Sequence, residues 1–90
     1  PFMQMLYNSD SFAVVSFDVP PEEGEGPLTR GGYEIVDKFA RKEIFIQGAL
    51  AESFKQGVQA LIEAGPATED EMDAFIERFA VLSQQPLVLH

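Results

Sequence analysis

The sequence predicts an α+β domain: an N-terminal antiparallel β-sheet of two hairpins, with two C-terminal amphipathic helices packed on one face. Short aromatic and β-branched runs broken by turn residues fill the first half, and apolar stripes at helical spacing fill the second. Strands precede helices, which argues against a parallel βαβ sheet. Ninety residues, 1–90, amount to a single domain.

Met3 to Tyr7 and Phe12 to Val19 are strand-like and are separated by Asn8, Ser9, Asp10 and Ser11, which favour a turn. This is the first hairpin. In its second strand Ala13, Val15, Phe17 and Val19 are the expected buried face, with Phe12, Val14, Ser16 and Asp18 opposite. Pro20 to Gly32 holds Pro20, Pro21, Pro27, Gly24, Gly26, Gly31, Gly32 and three glutamates, so residues 20–32 are expected as a flexible loop. Tyr33 to Gln47 fits two patterns. Ile35, Val36, Phe39, Ala40 and Ile44 suit a helical stripe, whereas Tyr33, Ile35, Ile44 and Ile46 suit alternating strands. The β-branched residues favour a second hairpin turning near Phe39 to Lys42, although that turn lacks Gly and Asn.

Leu50, Phe54, Val58, Leu61 and Ile62 form one stripe of a helix closed by Gly65 and Pro66, in which Gly57 would permit close approach of another element. Thr68 and Glu71 then form a capping box, and Met72, Phe75, Ile76, Phe79 and Leu82 make the stripe of a second helix. Pro86 stops it. Leu87, Val88 and Leu89 are expected to dock on the domain or on a second copy. Pro1 and Phe2 precede the first methionine, Met3, and are set aside from the functional argument.

Fifteen acidic against six basic residues give a formal net charge of -9, which opposes duplex nucleic acid and anionic membrane surfaces. The absence of cysteine removes disulfides, thiol nucleophiles and Cys-ligated zinc. No run approaches the roughly 18 apolar residues of a membrane helix, and the N-terminus lacks a basic, apolar leader, so a cytoplasmic protein is expected.

Four runs in order, Met3-Gln4-Met5-Leu6-Tyr7-Asn8-Ser9, Gly31-Gly32-Tyr33-Glu34-Ile35-Val36-Asp37-Lys38, Glu43-Ile44-Phe45-Ile46 and Gln84-Gln85-Pro86-Leu87-Val88-Leu89-His90, carry a resemblance. The chain resembles the small uncharacterised proteins of Burkholderia and related beta-proteobacteria, a family classed only as a domain of unknown function. The resemblance implies a bacterial, stand-alone domain with no assigned activity. It also implies Asn or Gly in the turn where this chain has Phe39 and Arg41.

Catalytic and metal chemistry find little to work with. The single histidine, His90, is terminal and poorly held, so neither a Ser-His-acid arrangement nor imidazole ligation is expected. Glu69, Asp70, Glu71 and Asp73 suit the positive start of a helix better than a cation site, because no calcium-loop pattern accompanies them. The glycines of 24–32 match no phosphate-binding motif and sit beside Glu22, Glu23 and Glu25. No catalytic residue, metal or cofactor is expected.

The candidate interaction residues are Arg30, Lys38, Arg41 and Lys42, four of the six basic side chains, together with Leu87, Val88 and Leu89. The basic cluster is read first as neutralising the chain's own acids. Of the nearby aromatics Tyr33, Phe39 and Phe45, two are assigned to the core. The favoured function is a small non-enzymatic protein acting by protein interaction or self-association. The alternative is a small enzyme or ligand-binding domain using carboxylates and Tyr33 or Tyr7 in a cleft.

Overall fold

The computed structural model describes residues 2–19 and 30–84, and the side chains of all of these but Phe2, Val19, Arg30 and Gln84. Four strands come first, β1 (Phe2–Asn8), β2 (Phe12–Val19), β3 (Arg30–Asp37) and β4 (Lys42–Gln47), followed by helices α1 (Gly48–Glu63) and α2 (Glu69–Gln84). The sheet is antiparallel throughout in the order β1-β2-β3-β4. Both helices lie on one face, α1 against β3 and β4, α2 against β4 and α1. This is the α+β arrangement the sequence predicts.

Residues 33–47 are the second hairpin, not a helix. The chain reverses over Lys38–Arg41 without glycine by placing Arg41 at φ 56, in the left-handed region. That is the conformation Gly or Asn adopts most readily. The expected loop is shorter than its composition implied, because Arg30, Gly31 and Gly32 pair with Val19, Asp18 and Phe17 as the start of β3. Ladder hydrogen bonding with β2 on one side and β4 on the other outweighs the low strand propensity of two glycines. The rest of the loop, 20–29, and the tail Leu87–Leu89 lie outside the described residues.

Alternation along paired strands sorts the side chains. Val14 stands beside Ile35 and Ile35 beside Ile44, so these three share a face with Phe12 and Ile46, and that is the face α1 and α2 cover. Ile35, Ile46 and Ile76 are almost completely buried. The expected buried set of β2 is corrected in part. Phe12 and Val14 join the cluster under the helices, while Ala13, Val15 and Phe17 stand on the opposite face, where Ala13 is buried as expected and Val15 and Phe17 are half-buried; β2 is apolar at both parities, so its pattern could not choose.

On α1 the buried residues are Ala51 and Phe54, with Val58 packed beside them. Leu50 and Ile62, expected in the stripe, are exposed, as is Leu82 of α2, whose place in the core is taken by Ala80. The Phe54 ring meets Tyr33, Phe75 and Phe79 at centroid distances of 5.1, 5.6 and 5.1 Å. Gly57 does permit a close approach: a Cβ there would lie 2.4 Å from Cζ of Phe75, so the missing side chain is where α2 seats its ring. Thr68 Oγ1 accepts a hydrogen bond from the Glu71 amide at 3.1 Å, completing the expected cap, with Glu69, Asp70 and Glu71 in the first turn of α2.

Candidate interaction face and the polar latch behind it

The pairing of β1 with β2 slips between Met5, opposite Val15, and Tyr7, opposite Val14, which leaves Leu6 as the extra residue of a β-bulge. The bulge has two effects. Met3 and Met5 keep to the face away from the helices, whereas Tyr7 is turned to the helix side and reaches α2.

There the Tyr7 hydroxyl donates to Asp73 Oδ1 at 2.8 Å and lies 3.2 Å from the Glu69 carbonyl oxygen. Ser9 Oγ also donates to Asp73 Oδ1, at 2.8 Å, and accepts from the amides of Phe12 and Ser11 at 3.1 and 3.2 Å. Lys38 closes the other side by donating to Asn8 Oδ1 at 2.6 Å and to the Ser9 carbonyl. The β1–β2 turn is thus tied to α2 and to the β3–β4 turn by groups that satisfy one another. Among the described residues no buried side-chain polar atom lacks a partner. The Ser9 hydroxyl is committed to Asp73 and to two amides, so this network acts as a latch between sheet and helix.

Burial raises the pKa of Tyr7 from its ordinary value of 10.0, and the Asp73 carboxylate it donates to raises it further, to about 12. A folded-state pKa above the unfolded one means that the neutral phenol contributes stability fully below pH 10, and that this contribution is lost as pH rises from 10 to about 12. Urea unfolding across that interval is expected to show a steeper loss in the wild type than in Tyr7→Phe. Parallel curves would contradict the latch.

The face away from the helices has a different character. By register it presents Met3 and Met5 from β1, Ala13, Val15 and Phe17 from β2, Glu34 and Val36 from β3, and Glu43, Phe45 and Gln47 from β4. Met3, Met5 and Phe45 are 61%, 58% and 59% exposed. Phe17 and Phe45 meet edge to face at 6.2 Å, with no side chain at Gly32 between them. Glu34 sits half-buried in the middle, between Val15 and Phe45 in register. An antiparallel sheet with helices on one side ordinarily turns polar residues to the other, so the exposed Met3, Met5 and Phe45 and the half-buried Val15, Phe17 and Val36 are unusual there.

Of the sequence-predicted interaction residues, Leu87, Val88 and Leu89 lie outside the described residues. Lys38, Arg41 and Lys42 share the β3–β4 turn, with Lys38 held in the latch. Arg30 begins β3 at the other end, about 23 Å away along the strand, so nearness in sequence does not make these four one patch. Of the three aromatics only Tyr33 packs against the core; Phe39 is 81% exposed at the turn tip and Phe45 lies on the open face. The residues that sequence reasoning missed, Met3, Met5, Phe17, Glu34 and Phe45, had one signal. Ile44-Phe45-Ile46 and Phe12 to Val15 are continuous apolar runs of the kind strands show when both faces are covered.

Tyr33 also lines an open cavity of about 400 Å³ between β2, β3 and α1, together with Asp18, Glu52 and Lys55. Among the described residues no three His, Cys, Asp or Glu side chains gather as a metal site would require. No helix among them is long and apolar enough to cross a membrane.

Protein BTH_I0359 of Burkholderia thailandensis strain E264 is 51% identical over 88 residues, which is 98% of this chain and the whole of that relative. No solved structure matches the chain. The sequence profile of the family DUF3567, described as a protein of unknown function, matches residues 3–90. The chain belongs to the DUF3567 family.

Proposed function

We propose that this protein works without catalysis, as a small interaction domain whose binding surface is the open face of its sheet. One observation carries the reading: the face opposite the helices is built from Met3, Met5, Ala13, Val15, Phe17, Val36 and Phe45. The two helices both lie on the other side, so neither of them covers these side chains. Burying such a side chain contributes roughly 1.5 to 3 kcal/mol, and a partner is what realises that gain. The cytoplasm is the compartment we propose.

The test is a photo-crosslinking amino acid placed at position 45 or, as a control, at the exposed apolar position 62 of α1, in the living source bacterium. A discrete protein adduct at 45 and none at 62 is expected. Equal labelling at both positions, or none at 45, would overturn the reading. A ligand-binding reading has one observation in its favour, the cavity where Tyr33, Asp18, Glu52 and Lys55 converge.

A further inference from the structure

A second surface lies at the end of the sheet. We infer that the β3–β4 turn is a plug: the Phe39 ring enters an apolar pocket of another protein, and the Arg41 guanidinium pairs with a carboxylate at that pocket's mouth. Phe39 is the most exposed large apolar side chain among the described residues. The turn that carries it is tied down on both sides. The Lys38 amide donates to the Ser11 carbonyl at 3.0 Å, its Nζ donates to Asn8 and to the Ser9 carbonyl, and the Ala40 amide donates to Asp37 Oδ1 at 3.0 Å. A ring presented on a fixed backbone has little freedom left to lose on binding.

Arg41 is the single non-glycine residue with positive φ among the described residues, at 56. Glycine takes that conformation without strain. The Arg41 side chain is exposed, and among the described residues its guanidinium has no hydrogen bond or ion pair, so what it supplies is charge rather than packing. Residues 20–29 join the sheet at Val19 and Arg30, about 23 Å from Asp37 along β3, and ten residues tied at both ends extend about 18 Å. Residues 85–90 begin about 22 Å along α2 from Glu69, whose carbonyl lies by Tyr7 at this end of the domain, and six residues extend about 20 Å.

The surrounding charge selects the partner. Glu69, Asp70 and Glu71 open α2 at this end, Asp10 sits in the adjacent turn, and Asp37 and Glu43 flank the tip. RNA or an anionic bilayer would meet all of these acids and a net charge of -9, and a second copy would bring another -9. One carboxylate at a pocket's mouth meets Arg41 at contact distance, where that pair outweighs acids that are farther off and screened.

The test places a photo-crosslinking amino acid at the exposed position 40 of the full chain in the source bacterium, leaving Phe39 and Arg41 intact. A protein adduct of one mass, resistant to nuclease, is expected. Phe39→Ser and Arg41→Gly should each lower its yield about fivefold or more, whereas Arg78→Gln, which removes an exposed cation from α2, should leave it unchanged. Arg41→Gly should at the same time raise the melting temperature of the purified protein, since it relieves the left-handed strain, so loss of the adduct cannot be loss of the fold. Lysine in place of the acid at the mapped contact, combined with Arg41→Glu here, should restore the adduct. No adduct, a nuclease-sensitive one, one with a second copy of this chain, or one that Arg41→Gly leaves at full yield would each overturn the inference. So would a charge exchange that fails to restore it.

Discussion

Alanine at position 54 is expected to cost about 3 to 5 kcal/mol of folding stability. Phe54 is 3% exposed and its ring touches Tyr33 of the sheet and Phe75 and Phe79 of α2. It therefore joins all three packed elements, and no neighbour can fill the void without moving two others. A loss of that size is a large part of the whole for a single small domain. Urea unfolding gives the value directly. A midpoint close to that of the wild type would mean that α1 presents a different side to the sheet.

Gly32→Ala should rank second, at about 1 to 3 kcal/mol or somewhat more, although it adds only a methyl group near the end of a strand. The added Cβ would fall 2.0 Å from the backbone oxygen of Ile46. A carbonyl in a sheet cannot swing aside as a side chain can, so the β3–β4 pair has to open there. Hydrogen exchange should accelerate at the amides of Gln47 and its neighbours while the β1–β2 pair stays protected. Unchanged exchange and stability would show that β3 and β4 separate before Gly32.

The same glycine illustrates what the sequence could and could not convey. Gly31 and Gly32 look like loop residues, and only pairing with β2 and β4 makes them strand. Local signals were legible wherever one segment decides its own structure. The Ser9–Ser11 turn, the Thr68–Glu71 cap and the Gly65-Pro66 stop all lie close to where their residue types put them. The choice of face was not local. Phe12 and Val14 compete with Ala13, Val15 and Phe17 on nearly equal terms, and the helices settle the matter from forty residues away. Leu50, Ile62 and Leu82 extend the helical stripes by period, yet they are exposed while the smaller Ala51 and Ala80 are buried. Tyr7 reaches Asp73 through a bulge at Leu6 that no residue type announces. The open face was hidden for a related reason: that Met5, Val15 and Phe45 stand together on the side away from both helices follows only from the register of the assembled sheet.

The stability of Phe45→Ser, set beside that of Phe54→Ala, tests most directly whether the open face is a surface kept for a partner. Two phenylalanines nine residues apart occupy opposite sides of one layered domain, one 59% exposed and the other 3%. Losing the edge contact with Phe17 should cost about 1 kcal/mol, with nothing further to lose at an exposed position. An unfolding free energy within that margin of the wild type is the predicted result. A loss of about 3 kcal/mol or more, matching a core phenylalanine, would contradict the account by showing that the chain itself packs over this face.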